Sequence, residues 1–101
     1  MSQPIFNIRS AVPELKSGRT VLVRDFGDSM MPLIMSGETV EVQPYTEGSL
    51  SKGDVVLAKV QGNLYLHKVT AVRGKMVQIS NNRGKINGWT PLSQVYGKVM
   101  L

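Results

Sequence analysis

The sequence predicts an all-β domain: a compact mixed sheet of short strands with little helix. Three observations carry that expectation. Short runs rich in Val, Ile, Leu and Thr recur along the chain, several with apolar and polar residues alternating. Glycine-centred turn sequences separate them. The chain has 101 residues of which 42% are hydrophobic, enough for one small core and no more.

Taken in order, residues 1–19 read as an N-terminal arm, flexible or loosely packed, and residues 20–101 as the domain proper. Within the arm, a turn or two of helix is expected around Val12 to Lys16, after Ser10 and with Pro13 near its first turn. The segment TVLVRDF (20–26) is the first strand expected. ETVEVQP (38–44) alternates strictly, with Val40 and Val42 on one face and Glu41 on the other. DVVLAKV (54–60) reads as a more deeply buried strand. NLYLHKVTAV (63–72), MVQIS (76–80) and VYGKVML (95–101) complete the set. QGN (61–63) and RGK (73–75) each place Gly between two strand runs, as a hairpin requires, whereas NNRGKINGW (81–89) reads as a longer polar loop.

Composition narrows the function. No apolar run is long enough to span a bilayer, and the N-terminus lacks the basic-then-apolar pattern of a signal peptide. A free-standing cytoplasmic protein is therefore expected. With no cysteine, disulfides and thiolate metal sites are excluded, one histidine cannot build a metal cluster alone, and no cofactor is expected. The net charge of +5 is uneven: residues 1–24 carry +3, residues 25–54 carry −5, and residues 55–101 carry +7 with no acid. The bases are scattered among few aromatic residues and no nucleic-acid-binding signature accompanies them, so a solvated basic face is favoured over a nucleic-acid partner.

The least ordinary stretch is GDSMMPLIMSGETVEV (27–42). It sets Ser29 between a Gly-Asp-Ser turn and Pro32. A serine hydroxyl attacks a carbonyl only when a base takes its proton and donors face the developing oxyanion. The candidate bases are the neighbours His67 and Lys68, in the strand run YLHKV. Adjacent strand residues point to opposite faces, so one of the two can face Ser29. Parity does not choose between them.

GDSMMPLIMSGETVEVQP, KGDVVLAKVQGNLYLHKVTAV, GKM and VYGKVM together resemble the superfamily of LexA-type self-cleaving repressors and type I signal peptidases. The match covers about residues 21–100 and lies in the order and spacing of a Ser-Met-x-Pro box, a Gly-Asp-Val-Val strand, a basic pair after a hairpin, and a closing Gly-Lys-Val strand. The resemblance implies a compact, mostly β catalytic fold that cleaves peptide bonds with a serine nucleophile and a lysine or histidine base. Carried onto this chain, it makes Ser29 the nucleophile and His67 the base, with Lys68 the alternative base. It implies an oxyanion donor in the backbone N–H of Ser29. Gly27 stands where many bacterial signal peptidases add a serine hydroxyl. Asp28, Met30 and Pro32 are supporting residues: Pro32 stiffens the turn, Met30 packs beneath the serine, and Asp28 faces solvent or caps a local N–H.

The chain departs from the pattern at three points. The loop after the base strand, ISNNRGKING, holds no acid to orient a histidine, which leaves Asn81 and Asn82 as candidate orienters. There is no transmembrane anchor. There is also no DNA-binding domain or Ala-Gly cleavage segment, Ser17-Gly18 being the nearest small-Gly pair. The expectation is a soluble serine endopeptidase acting on a protein or peptide substrate. The alternative is a non-catalytic module that keeps the fold for homodimerisation or peptide binding.

Overall fold

A computed structural model describes residues 3–48 and 50–101. Among them run eight strands and one α-helix: β1 (Ile5–Phe6), α1 (Ile8–Lys16), β2 (Val21–Arg24), β3 (Thr39–Pro44), β4 (Val55–Val60), β5 (Asn63–Arg73), β6 (Met76–Ser80), β7 (Ile86–Pro91) and β8 (Val95–Met100). They form one mixed sheet in the order β1-β2-β3-β8-β4-β5-β6-β7. Only β1 and β2 pair in parallel; every other neighbour is antiparallel. The all-β expectation holds, and no helix is long and apolar enough to cross a membrane.

The alternation in the sequence sorts side chains into two apolar clusters. Val55 and Leu57 of β4 join Val23, Val42, Leu66 and Val99 in the first, while Val56, Ala58 and Val60 join Val69, Val77, Ile79 and Val95 in the second. β4 is therefore buried on both sides from Val55 to Ala58, as its apolar run requires, with Lys59 exposed. The β4–β5 hairpin closes through Gln61 and Gly62, both with positive φ (49° and 85°), the backbone that matches the twist of the paired strands.

The N-terminal segment is not the loose arm expected. Asn7 caps α1 by accepting the Ser10 N–H at 2.8 Å, so the helix starts earlier than the sequence suggested and runs two full turns. Pro13 lies inside it, tolerated because this face is exposed. The opposite face places Ala11 and Leu15 in the first cluster. Ser17-Gly18, the small-Gly pair, caps the helix: the Ser17 N–H bonds the Pro13 carbonyl and Gly18 has a φ of 87°. It is not an extended segment that a peptidase could cut.

Gly97 of β8 shows how tightly the helix fits. A Cβ there would lie 2.5 Å from Val42 Cγ1 and 3.0 Å from Leu15 Cδ1. The absence of a side chain lets α1 settle onto the sheet.

The second correction concerns 81–89. Only its first half is a loop, because β7 begins at Ile86 and pairs with β6. The register slips between Ile79↔Gly88 and Ser80↔Ile86, which leaves Asn87 as the extra residue of a β-bulge.

If the N-terminal segment belongs to the domain, Leu15→Ala will cost about 2–5 kcal/mol in denaturant unfolding, as for other buried leucines. A loss below ~0.5 kcal/mol, typical of surface positions, would restore the loose arm.

Candidate active site

Ser29 lies in the connection between β2 and β3, which makes no strand pairing of its own. Three local features shape it. Gly27 takes a φ of 115°, open to glycine, and its N–H bonds Ser36 Oγ at 2.9 Å. The Met31 N–H bonds the Asp28 carbonyl at 3.2 Å, closing a turn around Ser29. Met30 and Ile34 then bury their side chains in the first cluster and pin the turn from below. Pro32, joined to Met31 by a cis peptide bond, leads out of it.

His67 comes from the middle of β5, opposite Val56 of β4. Among the described residues it is one of three buried polar ones, 8% exposed. Tyr65, two residues earlier on the same face, stacks on the ring with centroids 5.0 Å apart. His67 Nε2 lies 3.1 Å from Ser29 Oγ, and Nδ1 lies 2.7 Å from Asn87 Oδ1. An amide oxygen can only accept, so Nδ1 carries the ring proton. Nε2 is then left to accept the Ser29 hydroxyl proton.

The imidazole is held below its ordinary pKa. Burial is the main cause, because it penalises the charged ring. The Asn87 hydrogen bond and, more weakly, the negative charge of Asp25 pull it back up. Asp25 precedes the serine turn and lines a small recess beside Ser29 with Phe26, Met30, Ile34, Met35 and Leu66.

The remaining residues named from the sequence fall as follows. Lys68 points away from the serine hydroxyl, and its Nζ donates to Asn82 Oδ1 at 2.8 Å. Asp28 is exposed and pairs with Arg83 at 3.1 Å. Neither Asn81 nor Asn82 orients the histidine. Asn81 Oδ1 accepts the N–H groups of Arg83 and Lys85 at 2.8 and 2.9 Å and so shapes the β6–β7 turn. Asn82 bonds the serine turn and Lys68. The histidine's partner is Asn87. The right residue type was expected in the right stretch, but five or six positions early, because the bulge in β7 cannot be seen in the sequence.

The profile of the Peptidase S24-like family matches residues 5–88, most of the chain and all of Ser29, His67 and Asn87. The chain belongs to this family. It is thus a member of the LexA/signal-peptidase superfamily that its sequence resembles. The family match begins at Ile5 and ends at residue 88, so it takes in β1 and α1 with strands β2 to β6 and stops short of β8. No curated protein matches the chain.

His67 is the single histidine, so its titration can be followed by NMR without ambiguity. Its midpoint should lie below the ordinary value of 6.5 and should fall further in Asn87→Ala, which removes a bond that raises it. A midpoint above 6.5 would contradict the buried neutral ring. The linkage has a definite sign. Stability from the neutral ring is fully present above the unfolded-state pKa and is lost as pH falls through the folded value.

Proposed function

We propose that this S24-like protein is a serine endopeptidase that cleaves a protein or peptide substrate by acyl transfer. Ser29 is the nucleophile, His67 the general base, and Asn87 the residue that orients the imidazole. The observation that carries this reading is the hydrogen-bonded run from Ser29 Oγ through His67 to Asn87 Oδ1.

The reaction follows from the proton positions. Ser29 Oγ attacks the scissile carbonyl carbon as its proton passes to His67 Nε2. The imidazolium keeps its Nδ1–H on Asn87 and donates the new proton to the leaving amine as the C–N bond breaks. Water then adds to the acyl-enzyme, gives its proton to Nε2, and releases the carboxylic acid with Ser29 restored. In both tetrahedral states the oxygen needs donors. Among the described residues no acceptor takes the backbone N–H of Ser29, which supports its assignment as the oxyanion donor. The recess beside Ser29, about 20 Å³ and mostly apolar, suits a substrate residue with a small side chain next to the scissile bond.

A fluorophosphonate probe should label wild-type protein at Ser29 and leave Ser29→Ala unlabelled. His67→Ala should slow labelling by roughly 10²–10⁴, the usual worth of a general base. Lys68→Met should cost far less. Labelling should also follow a single ionisation below pH 6.5, that of His67, and reach a plateau above it. A folded wild-type protein that never reacts would give way to the module that uses this fold for dimerisation or peptide binding.

A further inference from the structure

We infer that Asn82 is a positioning residue for the nucleophile, tying the backbone on both sides of the Ser29 side chain to strand β5 through the Lys68 ammonium. The inference rests on Ser29 being the nucleophile of the proposed reaction and adds what sets its position.

Three polar groups of Asn82 make this link. Its backbone N–H donates to the Ser29 carbonyl at 2.7 Å. Its Nδ2 donates to the Met31 carbonyl at 3.0 Å. Its Oδ1 accepts from Lys68 Nζ at 2.8 Å. The next residue extends the pattern, since Arg83 Nε donates to the Asp28 carbonyl at 3.2 Å and its guanidinium pairs with the Asp28 carboxylate. Three carbonyls of the serine turn are thus taken by two residues of the β6–β7 turn. The Arg83 contacts are solvent-exposed and contribute little. Those of Asn82 are part-buried, where an amide that lost its partners would leave polar groups unsatisfied.

The arrangement matters because the serine turn has no strand partner. Its own hydrogen bonds, Met31 to Asp28 and Ile34 to Met30, fix its internal shape but not its height above the imidazole. Asn82 supplies that reference. Lys68 follows His67 directly in β5, and strand parity sends the two side chains to opposite faces. One rigid strand therefore carries the base on one side and, on the other, the charge that orients the residue holding the nucleophile. A displacement of about 1 Å at such a contact can lower a rate by about 10². Lys68, the alternative base in the sequence, has a different task here: its charge aligns an amide.

The test uses the full chain and two readouts. In fluorophosphonate labelling, Asn82→Ala should react roughly 10–10² more slowly than wild type. Its pH midpoint should not move, because His67 and Asn87 are untouched. Lys68→Met should show a smaller loss, and the double variant should lose no more than Asn82→Ala alone, as expected for members of one chain of contacts. In hydrogen exchange, the Met31 and Ile34 amides should lose protection in Asn82→Ala while those of β4 keep theirs. Wild-type labelling rates at full occupancy of the fold, or unchanged exchange at Met31 and Ile34, would overturn the inference. Should Asn82→Ala not fold, Lys68→Met carries the same two readouts. A folded wild-type protein that never labels removes the peptidase reading, and the exchange of the turn amides then decides whether Asn82 holds the turn.

Discussion

A buried imidazole must find partners for both ring nitrogens, and much of this site is arranged around that requirement. His67 sits in the middle of a strand with almost no access to water. An unpaired nitrogen there would cost about 1–3 kcal/mol. One nitrogen faces a serine from the β2–β3 connection, the other an asparagine from a bulge in the last-but-one strand. Three segments far apart in sequence thus converge on one ring. An amide oxygen on Nδ1 also settles the tautomer, so that the free lone pair faces the hydroxyl. Water alone, free to donate or accept, would not fix the tautomer this way.

The same burial sets a balance in the proposed reaction. Lowering the imidazole pKa keeps the ring unprotonated at neutral pH, where a base is needed, but makes it a weaker proton acceptor. The cation formed during attack must then be stabilised without water. Asn87 and the Asp25 charge act in that direction. Asp25 is not in the loop after the base strand, where the superfamily resemblance leads one to look for an acid. It comes from the end of β2, just before the serine turn. A carboxylate acting through space there, with a neutral amide in direct contact, differs from a carboxylate bonded to the ring: the amide orients, and the charge moderates.

Much of this was legible in the sequence, and the misses share a cause. Strands β2 to β6 and β8 could be placed because alternation and glycine turns are local signals. Ser29 could be singled out because a Gly-Asp-Ser-Met-Met-Pro turn is unusual, and the choice of His67 over Lys68 came from family resemblance. Helix α1 was read short because Pro13 suggested a first turn, although Asn7 carried the capping signal. The stretch 81–89 reads as a loop because its composition is polar, and an edge strand with one covered face has that composition too. Its bulge inserts one residue and reverses the facing of every side chain before it relative to those after it. No local rule gives that. Of the three asparagines in NNRGKIN the sequence points to Asn81 and Asn82 as orienters, yet Asn81 shapes the turn, Asn82 bonds the serine turn and Asn87 bonds the histidine.

That division of labour bears on why a histidine at this position needs more support than a lysine would. A lysine base ends in a single nitrogen on a flexible stem, which can turn its remaining N–H groups to whatever acceptors lie near. An imidazole is rigid and has a second nitrogen that must donate to something. Placing the ring in β5 therefore demands a third residue at a fixed distance, and a regular β7 would not turn a side chain at 87 toward it. The bulge meets this demand by re-aiming Asn87. The lysine that follows the histidine places its ammonium on Asn82. The bulge in β7 and the ring at residue 67 thus belong together, the first aiming the amide that the second must bond.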